Sequence, residues 1–151
     1  MSALGQKRSF APDQPYVRFA PIADTSYPPI APDLGQNRMD KSEVLQNVCL
    51  LPIHYQTEDL SPIALVQRSG YLEVPETVTP ESISAYLRHH PQLIDAWEIW
   101  AEDARTAWCK KVDGGYTVYP GPSGRPIKFK DKFAAWGDVI ARNILHIAKF
   151  A

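Results

Sequence analysis

The chain lacks any apolar run near the ~18–20 residues that a membrane-spanning helix needs, so no spanning segment is expected. Its four histidines, His54, His89, His90 and His146, show no metal-ligand spacing, and no metal or cofactor is expected. Only two cysteines are present, Cys49 and Cys109. They form no Cys-x-x-Cys pair, so two reduced, mostly buried thiols in a cytoplasmic protein are expected. No phosphate-binding loop is written: Gly114-Gly115 reads as a turn, and Gly121-Pro-Ser-Gly124 lacks the lysine and following helix of such a loop. Lys7 and Arg8 are not followed by an apolar block, which argues against a secretory signal. Charge of one sign is missing as well. A net charge of -1 exerts no global pull toward nucleic acid or an anionic membrane.

The 151 residues allow one ordinary domain, or a small one with a tail. Residues 1–38 hold six of the fourteen prolines and show neither helical nor alternating apolar periodicity, so a disordered or irregular tail is expected there. A single small domain is expected over 39–151. Asp40-Lys-Ser-Glu43 has capping-box spacing and opens a short helix that Leu51-Pro52 is expected to end. Ser61-Pro62 and Thr79-Pro80 are further helix starts, Gly70 sits where a C-terminal cap belongs, and Tyr71 to Val74 reads as an extended link.

The densest stretch runs from Pro91 to Lys111. Leu93, Trp97, Trp100, Ala101 and Ala104 share one face of a helix, with Asp95, Glu98 and Glu102 opposite, so both indoles are expected in the core. Beyond Arg105 the period changes. Residues 107–112 and 116–119 flank Asp113-Gly114-Gly115, a hairpin signal, and Pro126 to Lys130 alternates like an edge strand. Asp131 caps a last helix with Phe133, Trp136, Gly137, Ile140, Ile144 and Ile147 inward. The expected class is α+β: short helices and a central amphipathic helix, a three-stranded antiparallel meander, and a C-terminal helix packed on the sheet.

Two resemblances enter on particular residues. Met1 to Phe10, followed by Val17 to Asp24, resembles a translated repeat element found at the start of many bacterial reading frames. That resemblance implies a true start near Met39. His90 to Asp95, Trp97, Asp103 to Thr106, Trp108, Gly115 to Val118, and Ile127, Phe129 and Asp131 resemble short bacterial proteins of uncharacterised function, and this resemblance implies no activity.

Charge is divided more sharply than its total suggests. Residues 40–103 carry eleven carboxylates against three cations, whereas residues 105–132 carry seven cations against two carboxylates. Lysines on the sheet are expected to protect its edges and pair with the acidic helices. Asp95, Glu98 and Glu102 have no histidine on their helix, so a solvated acidic face is the better reading than a metal or acid–base site. Glu102 and Asp103 oppose the dipole at their helix end, and Arg105 is their nearest cation, giving a polar junction with Thr106.

The candidate binding residues are therefore Glu102, Asp103, Arg105, Thr106, Trp108, Lys110, Lys111, Tyr116 and Tyr119, with no catalytic residue among them. The expected function is a non-catalytic protein-interaction module, similar by size-level analogy to toxin-neutralising immunity proteins, with another protein as partner. Two alternatives compete with it. One is a ligand pocket or enzyme site between the central helix and the sheet, lined by Trp100, Trp108, Arg105 and Cys109 or His54. The other is weak single-stranded nucleic-acid binding by the basic sheet, which near-zero net charge disfavours.

Overall fold

Helix starts are written locally in this chain, and the computed structural model describes residues 39–104, 107–121 and 124–151, without the side chains of 102–104. The irregular segment expected over 1–38 lies outside the described residues. Asp40 caps α1 (Lys41–Cys49): its carboxylate accepts the Ser42 N–H at 3.2 Å while Glu43 accepts the Asp40 N–H at 3.1 Å. The chain does not leave the helical region at Leu51-Pro52 as expected. It bends at Leu50 and enters α2 (Leu51–Thr57), because a proline in the first turn removes no helical hydrogen bond.

Ser61 caps α3 (Pro62–Arg68), and Gly70, at φ +87°, turns the chain out of it. Residues 71–73 are a turn rather than the expected extended link, closed by the Glu73 N–H on the Gly70 carbonyl at 3.1 Å. A short 3₁₀ turn (Pro75–Thr77) then leads to α4 (Pro80–His89), capped reciprocally by Thr79 and Ser82. The central helix α5 spans Leu93–Ala104.

The meander follows as β1 (Trp108–Val112), β2 (Gly115–Tyr119) and β3 (Ile127–Phe129), in the order β1-β2-β3 and antiparallel throughout. Gly115 is required by close approach: a Cβ there would meet the Phe129 carbonyl oxygen at 2.3 Å. The last helix, α6 (Lys132–Ala148), starts from an Asp131 cap and packs on the sheet and along α4. Gly137 lets α6 and α4 cross closely, since a Cβ there would meet the Pro80 carbonyl at 2.4 Å. The α+β class stands as expected.

Trp97 is fully buried at the centre, and its indole N–H donates to the Cys49 carbonyl at 2.8 Å, tying α5 to the α1–α2 corner. Burying one indole removes roughly 150–250 Å² from water, which makes it the main anchor of α5. Trp100 corrects an expectation. It is only half-buried, its ring stacked on Trp97 at 5.3 Å and tilted against the exposed Tyr55 at 5.4 Å, so it forms the rim of the core. Burial on α5 centres instead on Leu93, Ile94, Ala96, Trp97 and Ala101.

Candidate functional site

A strand sends alternate side chains to opposite faces, and in β1 and β2 this alternation decides which residues a partner can reach. Val118 is fully buried, and Cys109, Tyr116 and Phe129 pack against the core, so they define the inner face toward α6. By register the outer face carries Trp108 opposite Tyr119, and one row further along, Lys110, Thr117 and Lys128 side by side on the three strands.

Trp108 is 42% exposed and lies nearly flat on Tyr119, with ring centroids 4.3 Å apart and planes 14° from parallel. Cross-strand aromatic pairs hold such a stack rigid at a cost of few rotatable bonds. Lys110 and Lys128 are exposed. The ion pairs found among the described residues are His54–Glu58, Arg68–Glu58, Arg88–Asp131 and Arg142–Asp138. None uses a lysine of the sheet, so the expected pairing of these lysines with the acidic helices is not seen among the described residues.

Position is imposed on the stack from α6. Asn143 is buried, and its side-chain amide grips Ala107 twice: Nδ2 donates to the Ala107 carbonyl at 3.3 Å and Oδ1 accepts the Ala107 N–H at 3.1 Å. This bond fixes the residue immediately before Trp108. The sequence signal was available in part, because Asn143 is a lone amide within the apolar face of α6, but its partner lies 36 residues away.

The residues singled out from sequence therefore divide. Trp108, Lys110 and Tyr119 share the outer face, whereas Lys111 and Tyr116 lie opposite each other on the inner face. Arg105 and Thr106, and the side chains of Glu102 and Asp103, lie outside the described residues, and so does the polar junction expected of them.

Among the described residues the groups of the alternative ligand pocket do not converge. Trp108 is on the outer sheet face, Trp100 is on the rim with Tyr55, and His54 belongs to a separate cluster at the α2–α3 corner. There, buried His54 places Nδ1 3.1 Å from one oxygen of Glu58, whose other oxygen accepts from Arg68 at 3.2 Å. His54 Nε2 is buried without a hydrogen-bond partner among the described residues. Burial holds the imidazole pKa below its ordinary value, against the opposing pull of Glu58.

Neither thiol offers a nucleophile at neutral pH. Both are free; burial pushes Cys49 far up, and it pushes Cys109, aided by Glu98, up to about 11. Among the described residues no three His, Cys, Asp or Glu side chains gather as a metal would need, and no helix is long and apolar enough to cross a membrane. No protein-family model, no curated protein and no solved structure matches the chain.

Proposed function

We propose that this chain is a non-catalytic protein-interaction module that docks another protein on the outer face of its sheet. The observation that carries this reading is the Trp108–Tyr119 stack, exposed beside lysines that have no ion-pair partner among the described residues. A rigid, half-exposed tryptophan is the kind of side chain that dominates binding energy at protein interfaces. The free thiols support placing the protein in a reducing bacterial cytoplasm. Neutralisation of a toxin is one use of such a module, by analogy of size.

The test is capture from native extract by the immobilised full chain and by its Trp108→Ala variant, with circular dichroism verifying the fold of both. One or more proteins retained by the first should be reduced by about tenfold or more on the second. Equal capture by both would remove the outer sheet face from the account. Retention of nucleic acid alone at low salt would favour base stacking on the indole instead.

A further inference from the structure

On the proposed docking reading, we infer that the partner presents an acidic segment, with carboxylates on Lys110 and Lys128 and an apolar or aromatic side chain on the open face of Trp108. The first support is charge. Lys110 and Lys128 flank Thr117 in one cross-strand row, exposed and without an ion pair among the described residues, while Thr117 between them is buried. Two strand spacings separate the lysines by roughly 10 Å, between the roughly 7 Å and 13 Å of same-face carboxylates two and four residues apart on an extended peptide, a difference that long lysine side chains take up. The Trp108–Tyr119 row lies two residues further along the strands, about 7 Å away, within reach of a neighbouring side chain of the same peptide.

The second support separates a protein from a nucleic acid. The hairpin that carries Lys110 also carries a carboxylate, Asp113, exposed at its tip. A phosphodiester chain is negative at every residue and would meet Asp113 where it passes the end of the hairpin. A protein segment can place its acids over the lysines and neutral or basic residues over the hairpin tip, as electrostatic complementarity requires.

The experiment titrates the full chain with three labelled probes, followed by fluorescence anisotropy. These are a short peptide of alternating Glu and Asp with one central Tyr, the same peptide with its acids replaced by Gln and Asn, and an oligothymidine of similar length. The acidic peptide should bind saturably, weaken as salt rises, and weaken by about tenfold or more with Lys110→Glu/Lys128→Glu protein whose circular dichroism is unchanged. The amide peptide should not saturate, and the oligothymidine should bind more weakly than the acidic peptide. Absence of saturable binding, equal binding of the amide peptide, tighter binding of oligothymidine, or indifference to the double substitution would each overturn the inference. If the acidic peptide fails while capture from extract still depends on Trp108, docking stands and only the acidic identity falls. If both fail, the docking reading falls too.

Discussion

His54 shows how a single buried group makes the whole molecule sensitive to pH. Its Nδ1 faces Glu58, but Nε2 is buried with no acceptor among the described residues, so a second ring proton there would be buried without a partner. The folded imidazole therefore titrates below its ordinary 6.5. Above that pH it is neutral in both states and contributes no pH dependence. As pH falls below it, the unfolded chain takes the proton first, and stability is lost down to the folded value. His90 is lowered in the same direction by burial and by His89, and adds to the trend. Denaturation midpoints measured at pH 7.5 and 5.5 should show lower stability at the acidic value, with a smaller loss in a His54→Gln variant. A wild-type midpoint that does not move would contradict this account of the cluster. Nothing in the sequence around His54 marks it as buried, because burial here is set by α2, an element that Pro52 conceals.

At the scale of elements, local signals and long-range contacts divide what the sequence reveals. The caps at Asp40, Ser61, Thr79 and Asp131, the positive-φ Gly70 and the Asp113-Gly114 turn act within four residues, and each is legible from spacing alone. Trp97 and Trp100 fall in one helical arc, and spacing cannot tell the anchor from the rim. Packing decides, because Trp97 is buried with its indole N–H on the Cys49 carbonyl at the end of α1, while Trp100 lies against exposed Tyr55. The Asn143–Ala107 bond is invisible for the same reason: it joins elements whose approach only the assembled fold defines. Asn143→Ala leaves both backbone groups of Ala107 buried and unpaired, a loss of about 1–3 kcal/mol by the usual cost of orphaned polar groups. Hydrogen exchange at Ala107 and Trp108 should accelerate together with that destabilisation, whereas unchanged exchange would show that β1 is held by its ladder alone.

For the whole molecule, α6 packs on one face of the sheet, and among the described residues the other face presents Trp108, Lys110 and Lys128 exposed. The division of charge along the sequence anticipates this only in part. It separates acidic helices from a basic sheet, yet it does not say that the sheet lysines find no ion pair among the described residues, since that depends on which carboxylates the folded helices bring within reach. Likewise the candidate site was legible as a list of residues near Trp108, but strand parity puts Tyr116 and an exposed Lys111 on the α6 side of the sheet and Tyr119 and Lys110 on the other.

Photo-crosslinking tests the central claim most directly, with a photoreactive amino acid placed in turn at Lys128, on the outer sheet face, and at Gln56, exposed on α2. On irradiation in native extract, position 128 should yield a discrete protein adduct that Trp108→Ala abolishes, and position 56 should yield none. A discrete adduct from position 56 with none from position 128 would contradict the assignment of the outer sheet face as the docking surface.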